Sequence, residues 1–242
     1  MKLVIIRHAD PDYSIDSLTE KGWKEAEFLS DRISKMDVKA FYVSPLGRAK
    51  DTASLSLNKM NREATVLPWL REFHAPISDE ETGEERITWD WLPEKWTTVD
   101  EFYHKNHWHT VPIMRNGNVL EAANQVYAGL DELLKEHGYE RGGNTYHATR
   151  PNNDTIVLFC HFGVECVILG YLLGISPMVL WHGFCAAPSS VTTLITEERR
   201  KGIAYFRMGS FGDISHLYAA GEQPAFAARF CEAFDNIDER HD

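Results

Sequence analysis

The chain has 242 residues, of which 36 are acidic and 25 basic, so its formal net charge is −11 at neutral pH. A single domain of this size buries roughly 70–75% of its unfolded surface, and 43% hydrophobic residues supply enough core material. This composition excludes disordered and collagen-like classes. The acidic balance argues against nucleic acid and anionic membranes as partners. No apolar stretch approaches the ~20 residues that would span a bilayer.

The four cysteines indicate the cellular compartment in which the protein is expected. A long chain with few cysteines and no recognisable secretion signal is typical of a cytoplasmic protein whose thiols stay reduced. The thiols are expected to behave mostly as small buried hydrophobic groups. They belong to Cys160, Cys166, Cys185 and Cys231.

Apolar runs rich in β-branched residues predict six strands. They cover residues 3–6, 40–43, 64–67, 155–160, 190–196 and 203–208. Several runs are continuously apolar, which is typical of a sheet covered on both faces. Residues 138–154 precede a strand and are therefore expected at the edge of the sheet opposite the ligands.

Helices are predicted between the strands. Thr19 is expected to cap a helix with an apolar stripe ending at Met36, and Ser44-Pro45 to open one that runs toward Leu57. Further helices are predicted over residues 119–137 and 163–173, and a last one on the four-residue spacing of Phe226, Phe230 and Phe234. The alternation predicts one α/β domain over residues 1–242, with three layers (α/β/α) and a mostly parallel doubly wound sheet.

Residues 73–118 interrupt this alternation and are predicted to form a lid-like insertion over the site. The segment holds nine acidic residues, four basic residues and four of the seven tryptophans. The tryptophans are expected to pack the insertion against the body of the protein. The less favoured alternative is that they form an aromatic wall that contacts the leaving group of a substrate. Their positions are Trp89, Trp91, Trp96 and Trp108. For His104, His107 and His109 an exposed loop is favoured over a metal site, since no converging carboxylate or cysteine is evident.

Polar side chains follow four predicted strands at their carboxyl ends. Arg7 and His8 follow the first strand, Arg48 the second, Glu72 the third and His161 the fourth. Ligands of open α/β sheets bind beyond the carboxyl ends of the strands, so these side chains are expected to converge. Each alone is better explained as a solvated or hydrogen-bonded residue. Their occurrence at the same end of separate strands is what favours a site.

The residue types in this cluster fit phosphoryl transfer without a metal. Arginine matches phosphate oxygens with a planar fork of donors, and two helix N-termini add backbone donors. A histidine with one unprotonated nitrogen can attack phosphorus. A carboxyl group can protonate the leaving alkoxide and later deprotonate water.

At this point the sequence resembles the histidine phosphatase superfamily, which includes the cofactor-dependent phosphoglycerate mutases. The resemblance covers about residues 3–217, in the order of the family. The matching pieces are Arg7-His8, Leu18-Thr19-Glu20-Lys21-Gly22, Ser44-Pro45-Leu46-Gly47-Arg48, Leu70-Arg71-Glu72, Cys160-His161-Phe162-Gly163 and the closing Asp213-Ile214-Ser215-His216-Leu217.

The resemblance implies a role for each site residue. His8 would be the nucleophile that forms a phosphohistidine, and Arg7, Arg48 and His161 would line the phosphate pocket. His161 would also act in catalysis and Glu72 would be the proton donor. No metal or cofactor is implied, and the expected partner is a small phosphorylated molecule.

Departures from the family pattern favour a phosphatase over a mutase. Ala9 stands where the family usually has glycine, and only residues 9–17 separate the Arg-His pair from the Leu-Thr segment. Three carboxylates in this short loop, at Asp10, Asp12 and Asp16, disfavour a second phosphate. Asp10 stays open as a second candidate proton donor. A mutase and a non-catalytic phospho-ligand module are the alternative functions, and an exposed sheet edge is compatible with a homo-oligomer.

Overall fold

The computed structural model describes residues 1–78, 83, 85–227 and 229–241. An eight-stranded sheet forms the centre of the protein. In chain order its strands are β1 (Lys2–Arg7), β4 (Ala40–Val43), β5 (Thr65–Val66), β8 (Tyr139–Gly142), β9 (Thr145–Ala148), β10 (Thr155–Cys160), β11 (Val191–Arg200) and β12 (Ile203–Asp213). Two short ribbons lie outside it and consist of β2 (Pro11–Asp12) with β3 (Ser17–Leu18), and β6 (Pro76–Ser78) with β7 (Glu85–Ile87).

The central sheet is mixed rather than mostly parallel. Its strand order is β5-β4-β10-β1-β11-β12-β9-β8. The pairs from β5 to β1 are parallel, whereas β11, β12, β9 and β8 each pair antiparallel with their neighbours. The antiparallel half arises because residues 191–213 and 139–148 each form a hairpin with a glycine at positive φ, at Gly202 and Gly143. Such hairpins need no crossover helix.

Eight α-helices are found in the described residues. They are α1 (Glu20–Ile33), α2 (Gly47–Met60), α3 (Pro93–Trp96), α4 (Pro112–Asn116), α5 (Val119–Glu136), α6 (Phe162–Leu173), α7 (Pro177–Gly183) and α8 (Ser215–Ala219). Helices α1 and α2 pack against each other on one face of the sheet, and α5 and α6 pack on the other.

The side chains of β1 point alternately to the two faces of the sheet, and each face has its own hydrophobic core. Leu3 and Ile5 belong to the core beneath α5 and α6, while Val4 and Ile6 belong to the core beneath α1 and α2. All four side chains are fully buried. The continuous apolar run in β1 is thus explained by burial on both faces, and the three-layer α/β/α class is confirmed.

One predicted helix boundary is wrong, and one predicted helix does not form among the described residues. Helix α2 begins at Gly47 with Leu46 as its N-cap residue, so Ser44 precedes the helix. The Ser44 hydroxyl accepts from the Leu46 N–H at 3.3 Å and lies 2.7 Å from His161 Nε2. The aromatic residues spaced four apart near the C-terminus do not form a helix in the described residues. Phe234 is 84% exposed there, so the four-residue spacing of these aromatic residues does not mark an apolar helix face packed on the body.

The predicted cap at Thr19 is present, since its side chain accepts a hydrogen bond from the Gly22 N–H.

The insertion at residues 73–118 contains β6, β7, α3 and α4. Its predicted acidic cluster falls partly on Asp79, Glu80, Glu81 and Glu84, which lie outside the described residues. Trp108 is 1% exposed and its ring meets that of Trp181 edge to face at a centroid distance of 5.6 Å. This contact supports packing against the body for Trp108. No helix among the described residues is both long enough and apolar enough to cross a membrane.

Candidate active site

The carboxyl end of β1 places Arg7 and His8 at the edge of the sheet where the parallel strands end. Arg7 is 4% exposed, and its Nη1 donates to the carbonyl of Ala186 at 2.5 Å and to that of Ala227 at 3.4 Å. Its buried Nε has no partner in the described residues. Arg7 therefore keeps an N–H donor available in a site shielded from water.

His8 is almost fully buried and is held in one tautomer. Its Nδ1 lies 2.8 Å from the carbonyl oxygen of Ala9. A carbonyl only accepts, so Nδ1 carries the proton and Nε2 keeps its lone pair. Burial, and next the charge of Arg7, lower the pKa of His8 well below its ordinary value, so the ring stays neutral at neutral pH. The backbone N–H of Ala9 is already donated to Thr52 Oγ1 at 2.9 Å.

His161 follows β10 and lies beside His8. The two ring centroids are 5.1 Å apart and the rings are tilted by 56°. Its Nε2 is 2.7 Å from the hydroxyl of Ser44, while its buried Nδ1 has no partner in the described part of the chain. Burial, followed by the neighbouring His8, lowers the pKa of His161. The parallel register of β1 and β10 pairs Arg7 with Cys160, and this pairing brings the two histidines side by side.

Arg48 lies in the first turn of α2 and is paired with Asp16, a carboxylate whose contact with Arg48 was not predicted. Its Nη1 contacts Asp16 Oδ1 at 2.6 Å, and Asp16 Oδ2 accepts from the Gly47 N–H at 2.7 Å. These contacts outweigh burial and lower the pKa of Asp16. A Cβ on Gly47 would approach the Asp16 carbonyl oxygen to 2.1 Å, so glycine permits the close approach. The cation of Arg48 is thereby partly neutralised.

Glu72 lies at the N-terminus of α6, the helix that follows His161. Its Oε1 accepts from the backbone N–H groups of Phe73 at 2.7 Å and Val164 at 3.0 Å. Burial nevertheless raises the pKa of Glu72 above its ordinary value. A Cβ on Gly163 would lie 2.5 Å from Glu72 Oε1 and 2.9 Å from Trp89 Nε1. The first turn of α6 and a tryptophan of the insertion thus enclose this carboxyl group.

Asp10, the second candidate proton donor, is turned toward the start of α1. Its Oδ2 accepts from the hydroxyl of Thr19 at 2.7 Å. Its backbone N–H donates to Glu25 Oε2 at 3.0 Å, and Glu25 Oε1 accepts from the N–H of Ala225 at 3.0 Å. Asp10 and the buried Glu25 therefore hold the loop after His8 against α1 and the C-terminal segment.

Glu165 is a buried carboxyl group that was not predicted as part of the site. It is 1% exposed in the first turn of α6, and its carboxyl group faces the hydroxyl of Thr192. Burial raises its pKa to about 7, although Thr192 and Arg7 act against the rise. An acid within an otherwise apolar helix was the sequence signal that could have identified it.

Ser189 holds the backbone of His8 in place, and His216 contacts Ser189. The Ser189 N–H donates to the His8 carbonyl at 3.0 Å, and the Ser189 hydroxyl lies 3.1 Å from His216 Nε2. Burial lowers the pKa of His216 to about 4, so the ring is neutral. The closing motif that contains His216 therefore contributes to positioning His8 through Ser189.

The three histidines of the insertion do not form a metal centre among the described residues. The rings of His104 and His107 stack on each other at a centroid distance of 4.0 Å. The ring of His109 packs edge to face with Trp108 at 5.6 Å. Across the described ranges, no group of three or more His, Cys, Asp or Glu side chains is placed to hold a metal ion.

Comparisons with solved structures show the same fold. Phosphoserine phosphatase from Entamoeba histolytica, solved with phosphoserine, superposes with a TM-score of 0.61 at 21% identity, covering 89% of this chain and 98% of that one. A mycobacterial glucosyl-3-phosphoglycerate phosphatase gives a TM-score of 0.57 at 18% identity, covering 87% and 98% of the two chains.

Sequence comparisons identify the family. A 2,3-bisphosphoglycerate-dependent phosphoglycerate mutase from Thermoplasma acidophilum is 33% identical over 73 residues, which cover 26% of this chain and 36% of that protein. The alignment thus spans little more than a third of the relative. The family model for the histidine phosphatase superfamily (branch 1) matches residues 3–208. The chain therefore belongs to the histidine phosphatase superfamily.

Proposed function

We propose that the protein is a metal-independent phosphatase that hydrolyses a small phosphomonoester through a phosphohistidine on His8. The observation that carries the proposal is the state of the His8 ring. A buried, neutral imidazole whose Nδ1 proton is held by the Ala9 carbonyl has its Nε2 lone pair free for attack. A nucleophile held in one tautomer by a hydrogen bond on its other nitrogen is the arrangement that covalent catalysis requires.

The first chemical step joins His8 to the phosphoryl group. The Nε2 lone pair attacks phosphorus, a P–N bond forms and the P–O bond to the leaving group breaks. The leaving oxygen takes its proton from Glu72, whose raised pKa favours the protonated form. Arg7, Arg48 and His161 surround the equatorial oxygens, so charge on the phosphoryl group develops among preorganised donors.

The second step returns the enzyme to its starting state. The Glu72 carboxylate takes a proton from a water molecule, which attacks phosphorus while the P–N bond breaks. Inorganic phosphate leaves, and the His8 ring regains its lone pair. Glu72 is favoured over Asp10 for both proton transfers, because burial raises the pKa of Glu72, whereas the Asp10 side chain is turned toward Thr19 at the start of α1.

Hydrolysis of p-nitrophenyl phosphate by EDTA-treated protein tests the proposal. Wild-type protein should release p-nitrophenol. When it is denatured at high pH, without acid, during turnover, mass spectrometry should detect protein that carries one phosphoryl group. His8→Ala should lose both. His147→Ala is the matched control, since His147 is an exposed residue of the β8–β9 hairpin. Wild-type rates in His8→Ala would refute His8 as the nucleophile.

The identity of the proton donor requires two leaving groups of different basicity. p-Nitrophenolate leaves without a proton, whereas the alkoxide of glycerol 2-phosphate needs one. Glu72→Gln should therefore lose more than tenfold more activity on glycerol 2-phosphate than on p-nitrophenyl phosphate. Asp10→Asn should reduce both rates to a similar extent. The opposite pattern would transfer the role from Glu72 to Asp10.

The remaining sequence expectations stay predictions. They are the cytoplasmic location, the small phosphorylated substrate, the lack of nucleic-acid and membrane partners, and the homo-oligomer. Transfer of the phosphoryl group to an acceptor hydroxyl instead of water would indicate a mutase. Phosphate binding without any turnover would indicate a binding module.

A further inference from the structure

A cavity of about 360 Å³ lies at the end of α6 that faces away from His161. It is formed by the last turn of α6, the loop at residues 105–109, the β8–β9 turn and one face of α5. Tyr171 in its wall is ten residues beyond His161, about 15 Å along the helix axis at 1.5 Å per residue. The cavity is therefore separate from the phosphate site, and its volume lies within the range of small-molecule sites.

The charge of this cavity is opposite to that of the protein. Its lining includes the cations of Lys105 and Arg141 and contains no aspartate or glutamate among the described residues. His109 also lines it, but burial lowers the pKa of this ring, so it is neutral at neutral pH. The whole chain, in contrast, carries a formal charge of −11. Arg141 is paired with Asp131 at 2.9 Å behind the wall. Within the described part of the chain, the hydrogen-bond partner of Lys105 Nζ is a neutral acceptor, Asn144 Oδ1 at 3.2 Å, so its charge is available to an anion.

Another part of the cavity lining is aromatic and aliphatic. The rings of Tyr127 and Tyr171 stack at 4.1 Å with an angle of 11°, and Arg141 Cζ lies 3.6 Å from the centroid of Tyr171. Because this stack is fixed by the Tyr171 hydroxyl on Asp131 at 2.7 Å, the wall is rigid. Leu120 and Ile175 add apolar side chains that are 40% and 36% exposed. Exposed apolar groups gathered around a concavity favour a ligand over solvent.

From these observations we propose that the cavity binds a planar aromatic anion of about the size of a mononucleotide. The anionic group lies between Lys105 and His109, and the ring lies against Leu120 and Ile175 at the edge of the tyrosine stack, because Tyr127 and Arg141 cover the two faces of the Tyr171 ring. A flat, rigid ligand suits a rigid wall, because little conformational entropy is lost on binding. The site is independent of the phosphatase proposal and neither needs it nor supports it.

Fluorescence titration of the full chain with 8-anilinonaphthalene-1-sulfonate, a planar aromatic anion, tests the proposal. We expect saturable binding of one molecule per chain that millimolar inorganic phosphate does not displace. Lys105→Glu should weaken this binding at least tenfold, because it replaces the attracting charge with a repelling one. Leu120→Glu should do the same by placing a carboxylate against the ring.

Matched variants separate the cavity from general surface binding. Lys59→Glu reverses an exposed charge on α2, and Leu92→Glu changes a leucine that is 51% exposed in the insertion. Both should bind the probe as the wild type does, and circular dichroism should show all four variants folded. The proposal is overturned if the wild type shows no saturable binding, if phosphate displaces the probe, or if Lys105→Glu binds as tightly as Lys59→Glu.

Discussion

Replacing Glu165 by glutamine should remove a specific part of the pH dependence of stability. Burial raises the pKa of Glu165 from 4.5 to about 7. Between these values the folded state binds a proton that the unfolded state has lost, so the free energy of unfolding falls as pH rises. Each pKa unit corresponds to about 1.36 kcal/mol of unfolding free energy, and the pKa of Glu165 is raised by about 2.5 units. Between pH 5 and pH 8 the free energy of unfolding should therefore fall by about 2.5 kcal/mol. The glutamine of the Glu165→Gln variant cannot ionise, so the free energy of unfolding of this variant should not show the fall that Glu165 causes.

Urea unfolding at pH 5, 6, 7 and 8 measures the effect, because the difference between the two pH profiles isolates Glu165. The buried Glu25, whose pKa is also raised to about 7, stays in both proteins and cancels from that difference. Glu20→Gln is the control, since the Glu20 side chain is 92% exposed and should leave the profile unchanged. If Glu165→Gln and the wild type lose the same free energy of unfolding between pH 5 and 8, the carboxyl group ionises without cost and the reasoning is wrong.

Two further substitutions test the local geometry. Gly163→Ala places a Cβ 2.5 Å from Glu72 Oε1 and 2.9 Å from Trp89 Nε1. It should lower kcat on glycerol 2-phosphate by at least tenfold while the melting temperature changes little, whereas unchanged kcat would show that the carboxyl group moves freely. Thr19→Ala removes the side chain that accepts the Gly22 N–H, and urea unfolding should show a loss of about 1 kcal/mol. A loss below about 0.5 kcal/mol, the range in which neutral surface substitutions usually fall, would contradict this role of the cap.

The parallel half of the fold and the position of its site residues follow from local sequence. The apolar run that ends at Arg7 and the one that ends at Cys160 form adjacent parallel strands, so His8 and His161 become neighbours. The rule that parallel strands present their carboxyl ends at one edge is sufficient for this prediction. The antiparallel half was missed, because the hairpin at Gly202 was interpreted as two independent strands.

The contacts that tune the site were not predictable in the same way. Asp16 pairs with Arg48 from 32 positions away, and Ser44 approaches His161 across 117 positions. Such pairings depend on how the β2–β3 ribbon and β10 are placed, and no local pattern encodes that placement. Ser44 was misassigned as a helix cap because a serine before proline satisfies the capping pattern equally well.

Under the proposed function, the ion pair between Asp16 and Arg48 has a consequence for the release of product. Two arginines facing a phosphate dianion without compensation would retain inorganic phosphate strongly, since each ion pair is worth more in a site shielded from water. A carboxylate 2.6 Å from one of them cancels part of that attraction. We therefore expect weak inhibition by inorganic phosphate in the wild type, and slower turnover with tighter phosphate inhibition once Asp16 is replaced by asparagine.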